Sequence, residues 1–128
     1  MRIAVLTSSR ADFGVYLPLL NEIVLDPEFS LSIIAFGTHL SDFHGYTISE
    51  IFASGFHVRY QVPTAMASDS EESISPSAAL CSLKFSSFWA EHKDKFDLIL
   101  SLGDRYEMFA AVAAGVPFNL KFVHFYGG

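Results

Sequence analysis

The sequence is short of charge and of covalent staples. Charged residues make up 17% of it, against roughly 25% in an average soluble domain, which does not fit a disordered chain. Lysine and arginine number 8 against 14 acidic residues, a formal net charge of −6. A protein that grips DNA or RNA by its backbone needs a basic stripe to displace counterions, and none is present. Nucleic acid is therefore not the expected partner, whereas a small phosphorylated ligand needs only one or two placed arginines. A single cysteine, Cys81, permits no intrachain disulfide and no C-x-x-C pair. Within a helical pattern it reads as a buried, inert thiol. No apolar run approaches the roughly 18 residues of a membrane span, and the apolar start Ile3-Ala4-Val5-Leu6 is too short for a signal peptide. The expectation is a cytoplasmic protein with no membrane partner.

Generic catalytic signatures are missing as well. There is no G-x-G-x-x-G after the first strand, no phosphate-binding G-x-x-x-x-G-K-[ST] and no G-x-S-x-G elbow. The histidines lack zinc-ligand spacing.

What the chain has in quantity is apolar surface, 51% of 128 residues with a mean hydropathy of +0.34. This is enough for one domain with a real core. It implies strands covered on both faces, an apolar face that expects a partner, or both. Short apolar runs at Ile3–Thr7, Leu31–Phe36, His57–Val62, Leu98–Leu102 and Phe122–Phe125 alternate with helical stretches. That alternation predicts an α/β fold around a parallel sheet buried on both faces, in the strand order 3-2-1-4-5.

Helix starts are legible from the capping chemistry. Pro18 is tolerable only in a first turn, so the first helix should begin near Tyr16 or Leu17 and run to Leu25. Thr47-Ile48-Ser49-Glu50 fits a capping box, opening a short helix ended by Gly55. Ser75-Pro76 should open the third, carrying the stripe Cys81, Phe85, Phe88, His92 and Phe96. The fourth should run from about Tyr106 to Ala114. The polar stretch Thr64–Ser75, with Asp69, Glu71 and Glu72, reads as an exposed loop.

The unusual residues fall just past the strand ends, where an open parallel sheet binds its ligands. They are Ser8–Gly14, Gly37–Tyr46, Gly103–Glu107 and His124–Gly128. Each has a structural reading: glycines for tight turns, Asp104 as a helix cap, Glu107 near a helix dipole, and His39, His44 and His124 as hydrogen-bonded structural groups. Convergence favours function. Arg10, Asp12, His39, Asp104 and Arg105 are expected to line one crevice, and such a cluster suits acid–base chemistry on an anionic ligand.

Four motifs carry a resemblance: Ser9-Arg10-Ala11-Asp12-Phe13-Gly14, Gly37-Thr38-His39-Leu40-Ser41 with Phe43–Thr47, Leu102-Gly103-Asp104-Arg105-Tyr106-Glu107, and His124–Gly128. In this order they resemble the hydrolysing UDP-N-acetylglucosamine 2-epimerases that feed bacterial sialic-acid and legionaminic-acid synthesis. Phe122 and Phe125 stand where smaller aliphatics are common in that family. The resemblance implies that residues 1–128 are the N-terminal, Rossmann-like domain of a two-domain fold like that of GT-B glycosyltransferases. The rest of such a protein would supply a glutamate after Gly128 and a second, UDP-gripping domain.

The resemblance also implies elimination of UDP followed by hydration, releasing N-acetylmannosamine, with no metal or organic cofactor. Asp104, Glu107 and His124 would be catalytic; Arg10, Asp12, His39, Arg105, Gly127 and Gly128 would bind the nucleotide sugar. A homo-oligomer is expected. Two other readings stay open: an acceptor-side domain of a glycosyltransferase, and a non-catalytic, self-associating fragment.

Overall fold

Alternate residues on the strands serve two cores, and that division organises the molecule. The computed structural model describes residues 1–41, 45–64 and 71–127. Strands β1 (Arg2–Thr7), β2 (Ser30–Phe36), β3 (Tyr60–Val62), β4 (Leu98–Leu102) and β5 (Phe122–Phe125) form one sheet in the order β3-β2-β1-β4-β5. Every pairing is parallel, with Val5 opposite Ile33 on one side and Leu100 on the other. The expected strand order is the one observed, and the fold is a doubly wound α/β sheet.

Ile3 and Val5 of β1 join Ile33 and Ala35 of β2 beneath helices α1 (Arg10–Leu25) and α2 (Ile48–Ala53). Ala4 and Leu6 join Ile34 and Phe36 on the opposite face, under α3 (Glu71–His92) and α4 (Tyr106–Gly115). The second core is aromatic: Phe85, Phe88 and Trp89 meet edge-on or tilted, and the Trp89 indole N–H donates to the Ala111 carbonyl at 2.9 Å. Burial pushes the Cys81 thiol up to about 12, and its sulfur donates to the Glu107 carbonyl at 3.3 Å. It is the inert thiol expected.

Three local expectations are corrected. Helix α1 begins at Arg10, because Ser9 caps it and Asp12 supports its first turn. Pro18 therefore lies inside the helix, where it removes the donor for the Gly14 carbonyl. Both residues are exposed, so water can take that carbonyl. Helix α3 begins at Glu71 and carries Pro76 internally, again at an exposed position. It ends at His92, and Phe96 reaches the core after a 3₁₀ turn, Lys93–Lys95. Of the stretch read as a loop, Thr64 is buried and residues from Glu71 onward are helical; Asp69 lies outside the described residues. Among the described residues no helix is long and apolar enough to cross a membrane.

Candidate functional site

Strand order reverses at β1, so the loops leaving β1 and β4 diverge to helices on opposite faces. Such a switch point opens a crevice beyond the strand ends. One of about 610 Å³ lies here, lined by Ser9, Arg10, Ala11, Thr38, Gly45, Thr47, Ser49, Glu50 and Arg105.

The wall made by the β1–α1 loop is rigidly built. The Ser9 hydroxyl accepts the Asp12 N–H at 3.2 Å, the N-cap bond that starts α1. The buried Asp12 carboxylate reaches back to Ser8 in return. The Ser8 carbonyl then accepts the Thr38 N–H at 2.9 Å and the Thr38 hydroxyl at 3.0 Å, tying the loop after β1 to the loop after β2. Gly37 makes this approach possible. Its φ is +60°, and a Cβ there would sit 2.9 Å from the Ser8 oxygen.

His39 is fully buried beneath the crevice. Its Nε2 lies 2.8 Å from Thr7 Oγ1 and its Nδ1 3.0 Å from Thr47 Oγ1. Burial pulls its pKa below the usual histidine value, against opposing pulls from Asp12 and Glu50. The imidazole is a neutral strut joining β1 to the start of α2. This is why the expected capping box fails: the Thr47 hydroxyl goes to His39, and α2 has no side-chain cap.

Two arginines face the crevice from two helix starts. Arg10 is the first residue of α1, with a side chain 73% exposed and a loose ion pair to Glu50 at 3.4 Å. The other Glu50 oxygen is buried with no hydrogen-bond partner among the described residues. Arg105 is the N-cap residue of α4, and the buried Glu107 holds it through two bonds of 3.2 and 3.0 Å. That bond is the main reason the guanidinium holds its proton above the usual arginine value. Because each cation has a carboxylate nearby, what the crevice can offer an anion is exposed N–H donors and helix N-termini rather than net charge.

Asp104 and His124 line a second crevice of about 460 Å³ with Gly103, Tyr106, Met108, Phe109, Val112 and Gly127. Asp104 is exposed and does not cap α4, so its structural reading as a cap is corrected. Arg105 takes the cap position, with extended backbone. His124 Nδ1 lies 2.7 Å from Ser101 Oγ, and Gly127 packs so closely on the His124 ring that no Cβ would fit.

The single crevice expected of Arg10, Asp12, His39, Asp104 and Arg105 is thus divided. Arg10 and Arg105 share one crevice, Asp104 lines the next, and Asp12 and His39 lie under the walls. Gly128 and His44 lie outside the described residues. Sequence reasoning passed over Glu50, Thr38 and Thr47 as lining groups. The helical position of Glu50 was legible, but its pairing with Arg10 depends on how α1 and α2 pack. Among the described residues no group of three or more His, Cys, Asp or Glu could hold a metal ion.

Comparison with known proteins bears on this site. Residues 21–128 match the model of a family described as UDP-N-acetylglucosamine 2-epimerase. The GDP/UDP-N,N'-diacetylbacillosamine 2-epimerase (hydrolyzing) of Campylobacter jejuni is 35% identical over 128 residues, covering 99% of this chain and 32% of that protein. The UDP-N,N'-diacetylbacillosamine 2-epimerase (hydrolyzing) of Legionella pneumophila is 32% identical over 127 residues, with 99% and 33% covered. The crystal structure of UDP-GlcNAc 2-epimerase from Neisseria meningitidis bound to UDP-GlcNAc superposes with a TM-score of 0.75. Identity there is 14%, covering 97% of this chain and 31% of that one, so this likeness is one of fold. The chain spans about a third of the length of the relatives it matches.

Proposed function

Because this chain belongs to the UDP-N-acetylglucosamine 2-epimerase family, we propose that it is the N-terminal domain of a hydrolysing epimerase acting on a UDP-linked 2-acetamido sugar. The observation that carries the reading is the pair of arginines, Arg10 and Arg105, set at two helix starts around one crevice at the sheet's switch point. A diphosphate suits that arrangement, since it can take N–H donors from both guanidinium groups and from the helix ends. The weak Arg10–Glu50 pair is readily exchanged for a phosphate oxygen.

The chemistry follows from what must leave. A base removes the proton on C2 as the C1–O bond breaks, its electrons going to the β-phosphate oxygen of UDP. The remaining sugar carries a C1–C2 double bond. Water then adds its oxygen to C1, and a proton returns to C2 on the opposite face, giving a free sugar inverted at C2. Arg10 and Arg105 would stabilise the departing diphosphate. Asp104 and His124, which share the adjoining crevice, are the proton carriers of this reading. The names of the Campylobacter and Legionella relatives support a diacetamido sugar alongside UDP-N-acetylglucosamine as a substrate. The reading assigns the nucleotide to both this domain and a second one, in a homo-oligomeric enzyme.

The test is turnover of each UDP-sugar by the full-length protein in deuterated water. Release of UDP together with a free sugar carrying one deuterium at C2 is expected. A product that keeps UDP on C1 would overturn the hydrolysing reading, and an unlabelled C2 would overturn elimination.

A further inference from the structure

Glu107 has a side chain only 2% exposed, and it lines neither crevice. Both of its oxygens go to one partner. Arg105 Nε donates to Oε2 at 3.2 Å and Arg105 Nη2 donates to Oε1 at 3.0 Å, a fork-on-fork pair. Its main-chain carbonyl accepts from Cys81, which ties this turn of α4 to α3. A carboxylate so enclosed has no path to a sugar carbon in either crevice. A proton carrier needs hydrogen-bond reach to the atom it serves.

Arg105 presents the opposite picture. Its side chain is 43% exposed and lines the larger crevice, and Glu107 occupies only its Nε and one Nη2 position. Among the described residues Nη1 and the second Nη2 hydrogen remain for a ligand. A free arginine on a helix end samples many rotamers, and each must be given up when it grips an anion. A buried fork removes that freedom beforehand, because a planar guanidinium held at two nitrogens has its plane set. Among the described residues Arg10 is held by one exposed contact of 3.4 Å and has no such support.

We infer that Glu107 is a positioning residue: it sets the plane of the Arg105 guanidinium so that the remaining donors meet a diphosphate, and it carries no proton in the reaction. This rests on the proposed reading of the crevice as the diphosphate site.

The test is a double-mutant cycle in the full-length protein with Glu107→Gln, Arg105→Gln and both together. Steady-state kinetics, the pH profile of kcat and calorimetric titration with UDP are read for each. Glu107→Gln should raise KM and the Kd for UDP about 10- to 100-fold and leave the shape of the pH profile unchanged. Arg105→Gln should cost as much, and the double variant no more than Arg105→Gln alone. Loss of kcat and of one limb of the pH profile, with UDP affinity intact, would make Glu107 a proton carrier and overturn the inference. Additive losses would overturn it too. If Arg105→Gln weakens UDP but Glu107→Gln does not, the inference alone fails; if Arg105→Gln changes nothing, the reading of the crevice fails with it.

A wild-type measurement guards against variants that do not fold. The Arg105 Nε–H resonance should exchange with water far more slowly than that of Arg10, with or without UDP. Equal exchange rates would show the guanidinium to be unrestrained, and the inference would fall.

Discussion

Asp12 Oδ2 lies 2.6 Å from Ser8 Oγ and 2.9 Å from Ser8 N, so one carboxylate oxygen closes the loop that leads from β1 into α1. The bond reaches past the cap residue to the position before it, and Ser9 answers by capping the Asp12 N–H. Asp12 is 4% exposed. Its removal leaves two buried donors unpaired beside a helix N-terminus, so Asp12→Ala should cost about 2–4 kcal/mol of stability. Chemical denaturation measures this, and a loss below about 0.5 kcal/mol would show that the loop holds without it.

Gly37 makes a second backbone prediction. Alanine there must adopt a positive φ and press its Cβ against the Ser8 oxygen. Gly37→Ala should therefore cost about 1–3 kcal/mol, more than Gly14→Ala, where an added Cβ meets nothing within 4 Å. Equal melting temperatures for the two variants would contradict the packing described.

The buried imidazole of His39 gives stability an acid limit. Its pKa is lowered in the folded state, chiefly by burial, while the unfolded chain takes the proton near the ordinary value of 6.5. Its contribution is fully present above about pH 6.5 and declines as the pH falls below it towards the lower folded value. His92 is lowered in the same direction, so His39→Gln should flatten only part of the slope. Melting curves between pH 7.5 and 5 test this; a wild-type protein that grows more stable as the pH falls would refute it.

Arg10 separates binding from folding. Its side chain is largely exposed, and its ion pair with Glu50 is long. Arg10→Ala should change stability by no more than about 0.5 kcal/mol, yet weaken UDP binding by the full-length protein about 10-fold. Unaltered UDP affinity would remove Arg10 from the proposed site.

Asp104→Asn in the full-length protein keeps the side chain's shape and removes its charge. If Asp104 carries the proton, kcat should drop about 100- to 10,000-fold with little change in UDP affinity. Because Asp104 does not cap α4, thermal stability should hold. A near-normal kcat would assign the proton transfer elsewhere.

Strand identity was decided by local pattern, although of the run His57–Val62 only Tyr60–Val62 is strand, and the order followed once right-handed crossovers were added. Runs such as Ile3–Thr7 and Leu98–Leu102 are apolar on both alternating faces, and a parallel sheet covered on both sides buries them. The glycines and ionisable residues past those runs marked the carboxyl edge for the same reason: chain direction in a parallel sheet is uniform. Which side chains face a ligand depended on contacts between segments far apart in sequence. Thr47 had a capping pattern, but His39, brought beside it by the turn after β2, took the hydroxyl. Pro18 broke a helical rule, but its unbonded carbonyl partner lay on a wetted face. Asp104 and Arg105 are adjacent in the chain and looked alike as site residues. Only the packing of α4 decided that Arg105 turns to a buried Glu107 and the larger crevice, while Asp104 meets His124 across the next. Periodicity records burial along one segment; the direction of a polar side chain is settled by whichever donor or acceptor the folded chain brings within 3 Å or so, a near neighbour for Asp12 and Arg105 and a distant strand for His39.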